Sequence, residues 1–124
     1  MALTFVPGVS ADSPSQCIDT AATSTAVRDI AGGPASIKKV TVVNPNAAED
    51  EHLCFYNNVD PTVGTTAPDM ILFIPRNQTT EYSFPESPDV FTTAVSYAAK
   101  QQAGTAGTTT PTSALQVMIE FLPS

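Results

Sequence analysis

The distribution of proline limits the secondary structure of this chain more than any other feature. Eleven prolines are spread from Pro7 to Pro123, and a proline inside an α-helix removes a hydrogen bond and clashes with the preceding turn. Threonine and valine are frequent between the prolines, and no long segment has its apolar residues at helical spacing. Since β-branched residues favour extended chain, the sequence predicts short strands joined by turns.

Alternation of apolar and polar residues predicts an all-β fold of about seven or eight strands, an antiparallel β-sandwich of jelly-roll type. A closed barrel is the alternative. An extended N-terminal arm is predicted for residues 1–22, which Pro7-Gly8 and Ser13-Pro14 interrupt, and the sandwich domain for 23–124. The predicted strands cover 23–30, 36–44, 51–57, 69–74, 79–84, 90–99 and 115–122. The Gly- and Thr-rich segment 101–113 is predicted to be a loop with little reason to pack.

The strand predicted over 51–57 assigns its side chains to two faces. Leu53 and Phe55 share one face, which we assign to the core. His52, Cys54 and Tyr56 share the other face, which is expected to point outward.

The charge balance excludes two classes of partner. The chain has 5 Lys and Arg against 12 Asp and Glu, a net charge of −7. Nucleic acids and anionic membranes attract basic surfaces, so neither is an expected partner. The longest apolar run, 70–74, is far shorter than the roughly 18 residues of a membrane span. The first nine residues lack the basic start of a signal peptide, so no secretory leader is predicted.

Residues that could carry chemistry are few, and their spacing is poor. His52 is the only histidine, and Cys54 on the same face lies about 7 Å along the strand, too far for a base–nucleophile pair. Successive residues of Glu49-Asp50-Glu51 point to opposite faces, which predicts a solvated turn rather than a cation site. We therefore expect no catalytic residue, no metal site, no cofactor and no enzymatic activity.

The two cysteines leave three alternatives open. Cys17 lies in the predicted arm and Cys54 on the predicted outer face. A disulfide between Cys17 and Cys54, a cross-link from either one to a neighbouring subunit, and two free thiols all fit these positions.

A series of motifs along the chain resembles a known protein family. In order they are Val43-Asn44, Asn46-Ala47-Ala48, Leu53-x-Phe55-Tyr56-Asn57, Pro61-Thr62-Val63-Gly64-Thr65, Ile74-Pro75, Phe91 to Ala98, and the alternating segment 115–121. The pattern is similar to that of small β-rich proteins encoded among the virion structural genes of tailed bacteriophages and prophages. The resemblance covers roughly residues 23–122, and its most specific element is the segment 61–65 with its spacing to Ile74-Pro75.

The chain departs from that family at two loops. The family has an Ala-Gly-Gly turn where this chain has Arg76-Asn77-Gln78. It has an acidic Ala-Asp-Ser-Asp-Thr-Thr loop where this chain has the uncharged segment 103–110, so a carboxylate cation site in that loop is not expected here. The resemblance brings no catalytic residues.

The resemblance implies a capsid decoration, or cement, protein. Such a protein is made in the bacterial host cytoplasm and is located in the virion, on the outer capsid surface. Its partners would be the major capsid protein and copies of itself, with a trimer expected. An acidic chain suits the outside of a shell, because the inside faces DNA phosphate. The predicted contact residues come from the arm and the loop at 61–68, namely Phe5, Val6, Cys17, Ile18, Pro61, Val63 and Pro68.

Two alternatives remain at this stage. One is a structural component of the tail, neck or fibres. The other is a carbohydrate-binding β-sandwich module, which would stack sugars on exposed aromatic rings. Its candidate residues would be Tyr56, Tyr82 and Tyr97, since the chain has no tryptophan.

Overall fold

The described part of the chain folds into eight strands. The computed structural model describes residues 3–9, 13–84 and 91–124, and these ranges contain no helix. The strands are β1 Leu3–Val6, β2 Ser15–Ala22, β3 Ala35–Asn44, β4 Glu51–Tyr56, β5 Met70–Ile74, β6 Gln78–Ser83, β7 Ser96–Lys100 and β8 Leu115–Pro123.

The strands form two antiparallel sheets. One sheet has five strands in the order β1-β2-β8-β3-β6, and the other has three in the order β5-β4-β7. All strand pairs within them are antiparallel. The β-sandwich predicted from the sequence is confirmed, and the alternative of a closed barrel is not formed.

Period-two alternation builds the core between the sheets. Val40 and Val42 of β3 lie opposite Ile119 and Val117 of β8, and all four side chains are buried. From the other sheet, the side chains of Leu53 and Phe55 complete this core, as the alternation in β4 predicts.

The prediction of a strand over 23–30 is wrong. The strand pairing of this segment is limited to an isolated bridge, in which Val27 and Tyr97 exchange backbone hydrogen bonds of 2.8 and 2.9 Å. Asp29 has a φ of 48°, in the left-handed region, which interrupts the extended chain. The segment instead runs along the edge of β7 and covers it, so that this edge of the three-stranded sheet is not open.

Half of the predicted arm lies inside a sheet. Residues 15–22 form β2, which pairs with β1 on one side and with β8 on the other. Cys17 and Ala22 of this strand belong to the core. The predicted strand over 90–99 is shorter than expected, because β7 begins only at Ser96; residue 90 lies outside the described residues.

Candidate interaction surfaces

The two thiols lie on opposite sides of β4. Cys17 faces the core between the sheets, in the cluster that contains Phe55. Cys54 packs on the other face of β4, with Ala26 and Ala98. Both are buried and free, so of the three alternatives the disulfide between Cys17 and Cys54 is not formed in this structure. Burial raises the pKa of each thiol to about 11, so both hold their protons at neutral pH and are poor nucleophiles.

A buried polar contact joins the two sheets beside Cys17. The hydroxyl of Tyr97 donates to Oδ2 of Asp19 over 2.8 Å, and Sγ of Cys17 lies 3.8 Å from the same hydroxyl. Burial raises the pKa of Tyr97 above its usual range, and the neighbouring Cys17 and Asp19 act in the same direction. The tyrosine is therefore a permanent donor to Asp19, which is a structural role.

His52 holds a loop to the three-stranded sheet. Its Nδ1–H donates to the carbonyl oxygen of Gln101 over 3.0 Å, and its ring lies 5.6 Å from that of Phe73. The side chain is half-buried.

The outer face of the three-stranded sheet is covered around Cys54 and Tyr56, which corrects the prediction that these two side chains point to solvent. Both are fully buried. The cover includes segment 101–113, for which the sequence predicted little packing. Lys100 holds this segment against the sheet. Its side chain is 0 % exposed, and its ammonium group donates to the carbonyl oxygens of Gly104 and Gly107 over 2.5 and 2.9 Å.

A second loop meets this one at Gly64. Gly64 has a φ of +94°, and a Cβ built there would lie 2.5 Å from Cγ2 of Thr108. The loop at 57–69 therefore contacts the loop at 101–110 so closely that only glycine fits. Sequence reasoning missed Lys100, although it alternates with Ser96 and Ala98 on the same face of β7.

The turn at 49–51 also differs from its prediction as a solvated turn. Glu51 is 0 % exposed, and its carboxyl group contacts that of Glu49. The two side chains do converge, because Glu49 precedes β4 and is not bound to strand alternation. Neither residue was singled out as functional from the sequence.

The predicted contact residues do not form one surface. Phe5 and Val6 are exposed on β1, and Ile18 is half-buried on the outer face of the five-stranded sheet. In the loop at 57–69, Val63 and Pro68 are half-buried. Cys17 and Pro61 are buried inside the chain, so their side chains are not on the surface that a partner would meet.

An apolar groove lies beneath β1. Phe5 pairs with Cys17, so its side chain points to the core side of the sheet, yet it is 49 % exposed. Phe5 stays exposed because the five-stranded sheet is wider than the three-stranded sheet and extends beyond it. The resulting groove has a volume of about 360 Å³, and its uncharged lining includes Phe5, Val6, Ile30, Ala31 and Phe121.

The outer edge of β1 is open within the described residues, since β1 pairs only with β2. Its sequence, Leu-Thr-Phe-Val, contains neither a charge nor a proline. Natural edge strands are commonly protected by a charged residue or a proline. Because β1 has neither, it is well suited to pair with a strand of another chain.

A smaller apolar surface lies on β5. Ile71 and Phe73 are exposed there, on the outer face of the three-stranded sheet next to His52. This surface is separate from β1, because β5 and β1 belong to different sheets.

Neither a metal site nor a membrane-spanning helix is found in the described ranges. Residues 3–9, 13–84 and 91–124 bring together no group of three or more His, Cys, Asp or Glu side chains that could hold a metal ion. Nor does any helix there have the length and hydropathy needed to cross a membrane.

Comparisons with known proteins add no relative. No family model matches the chain, and neither a curated protein nor a solved structure matches it. The motif resemblance to virion proteins therefore stays a prediction beside the fold described above.

Proposed function

We propose that this chain is a bacteriophage virion structural protein, a decoration protein that binds the outer capsid surface and bridges neighbouring capsid subunits. The observation that carries the proposal is the unprotected apolar strand β1 above its groove. An open strand edge beside an apolar groove suits the addition of a strand from a partner, with backbone hydrogen bonds for affinity and the groove for side chains. Many such weak contacts on one shell would add through multivalency.

The sequence motifs and the charge support the same proposal. The motifs at 43–75 and 91–121 resemble those of phage virion proteins, and the net charge of −7 suits a position away from packaged DNA. The groove lining is uncharged, so contact with the shell would be apolar there. Self-association into a trimer is part of the proposal.

The alternative of a carbohydrate-binding module has less support than the virion role. Two of its candidate residues, Tyr56 and Tyr97, are buried, and the third, Tyr82, is half-buried. Sugar stacking needs an exposed aromatic ring, so only Tyr82 stays a candidate for it. A tail, neck or fibre component stays a second candidate, since an open apolar edge would serve assembly there equally.

The test is binding of the purified chain to phage particles that lack it. Phe5→Ser removes the apolar side chain from the groove, and we expect affinity to fall at least about fivefold, from the loss of roughly half the burial of a phenylalanine. Phe73→Ser is the matched control, because Phe73 is an equally exposed phenylalanine but lies on β5, in the other sheet. Equal binding by the wild type and Phe5→Ser would contradict the role of β1.

A further inference from the structure

A buried carboxyl group without a donor begins β4. Glu51 points inward with Leu53 and Phe55, and it is 0 % exposed. Within residues 3–9, 13–84 and 91–124, no N–H or O–H group donates a hydrogen bond to either of its carboxyl oxygens. An ionised carboxylate in such a place is costly, so the side chain needs either a proton or a cation.

The carboxyl group next to it is firmly held. Glu49 accepts two hydrogen bonds of 2.8 Å from Thr112, one from the backbone N–H and one from the hydroxyl. The contact with Glu51, together with these two donors, stabilises the ionised form and holds the pKa of Glu49 below its usual value. Two carboxyl groups in contact are not both ionised without a large cost, and a proton on Glu51 turns one of its oxygens into a donor to Glu49.

The other groups around the pair do not supply a cation. Asp50 is a further negative charge in the same turn, and it is paired with Arg76 through contacts of 3.1 Å to both Nε and a terminal guanidinium nitrogen. The amide nitrogen of Asn44 donates to the backbone carbonyls of Glu49 and Ile74. The strand opposite Glu51 contributes the neutral Ile74. No third acidic or histidine ligand joins the pair in the described chain.

We propose that Glu51 keeps its proton at neutral pH and donates it to Glu49, so that this carboxyl pair links the β3–β4 connection to the segment before β8 and weakens when the medium becomes alkaline. The link runs from the buried Glu51 through Glu49 to Thr112, which lies just before β8. It does not depend on the proposed virion role.

The direction of the pH effect follows from the position of the proton. Burial raises the pKa of Glu51 to about 8, with Glu49 and Asp50 adding to the shift, against an ordinary value of 4.5. Between these two values the folded chain binds a proton that the unfolded chain has released, so stability falls as the pH rises. Above the higher value both states are ionised and the loss is complete.

The test is the titration of the Glu51 side chain by carbon-13 NMR of its carboxyl group in the intact protein. In the wild type we expect the Glu51 carboxyl group to titrate with a midpoint at about pH 8. The variant Glu51→Gln assigns the Glu51 signal, because the signal disappears in it. In Glu49→Gln the midpoint falls by at least about one pH unit, because a negative neighbour is lost. A wild-type midpoint near the ordinary 4.5 would overturn the proposal.

Thermal unfolding gives a second readout. Glu51→Gln keeps a neutral donor beside Glu49, so its melting temperature should exceed that of the wild type by a margin that grows from about pH 5 to about pH 8 and then stays constant. Glu81→Gln, on the exposed edge strand β6, is the control and should show no such growth. Equal pH profiles for Glu51→Gln and the wild type would contradict the proposal.

Calcium distinguishes the proton from a cation. We expect millimolar calcium chloride to leave the Glu51 midpoint unchanged. If calcium lowers that midpoint by more than about one pH unit, the pair binds the metal, and the proposal of a shared proton is wrong.

Discussion

The hydroxyl of Tyr97 on β7 donates a hydrogen bond of 2.8 Å to Oδ2 of Asp19 on β2, and this bond connects the two sheets through the core. Asp19 is fully buried, and its other carboxyl oxygen accepts the backbone N–H of Ala21 over 2.9 Å. Both oxygens of this buried carboxyl group therefore accept a hydrogen bond, as buried polar groups generally do.

Replacing Tyr97 by phenylalanine should therefore destabilise the protein. The change leaves Oδ2 of Asp19 without its donor, and we expect a loss of about 1.5–3 kcal/mol in the free energy of unfolding, measured by urea denaturation. Tyr82→Phe is the matched control, because its hydroxyl bonds to a backbone carbonyl at a more exposed site and should cost about 1 kcal/mol or less. Equal losses for the two variants would contradict the structural role of the buried bond.

The thiols should react only after unfolding. Both cysteines are buried, and burial raises the pKa of each to about 11, so a thiol reagent at neutral pH should modify neither in the native protein. In denaturant it should titrate both, and Cys17→Ser or Cys54→Ser should each titrate as a single thiol. A dimer band that disappears on reduction would instead favour the cross-link to a neighbouring subunit.

Lys100 should control the order of the loop at 101–110. Lys100→Met keeps the apolar stem but leaves the carbonyl groups of Gly104 and Gly107 without their donor, so amide hydrogen exchange in this loop should become faster. Stability should fall by about 1–3 kcal/mol. Lys39→Met is the control, since Lys39 makes only surface ion pairs with Glu81 and Glu120, worth about 0–1 kcal/mol. Unchanged exchange in Lys100→Met would contradict this role.

Gly64 should tolerate alanine less well than Gly32 does. Gly64→Ala places a methyl group against Thr108 and strains a backbone with a φ of +94°, which we expect to cost about 1–3 kcal/mol or more. Gly32→Ala carries strain at a φ of +69° but meets no atom within 4 Å. The difference between their unfolding free energies measures the contact between the loops, and it should shrink when Thr108→Ser is added to Gly64→Ala. Equal losses would show that the loops do not touch.

The sequence was most informative where apolar residues alternate. The strands at 36–44, 51–57 and 115–122 match β3, β4 and β8 closely, because their inward and outward residues differ in polarity. The pattern was weaker for β2, where the inward position after Cys17 is Asp19. Asp19 can be buried because the hydroxyl of Tyr97, far away in the sequence, donates a hydrogen bond to it. Alternation within one strand does not reveal such a distant partner.

Burial of charged residues was the second limit. Glu51 was predicted to lie in a solvated turn and Lys100 was given no role, since charged residues are rarely buried. Their partners, the carbonyls of Gly104 and Gly107 and the carboxyl group of Glu49, lie nearby in the sequence, but strand alternation does not show how the loop and the turn fold back onto these side chains. Of the predicted contact residues, Phe5 and Val6 are exposed, and Cys17 is buried because residues 15–22 are a strand of the sheet rather than arm.

The central claim is tested most directly by the copy number of this chain relative to the major capsid protein, measured by quantitative mass spectrometry of purified particles. A decoration protein on the outer shell predicts a ratio near one or a simple fraction of it. Only a few copies per particle would place the chain in the neck, tail or fibres, and absence from the particles would contradict a virion role altogether.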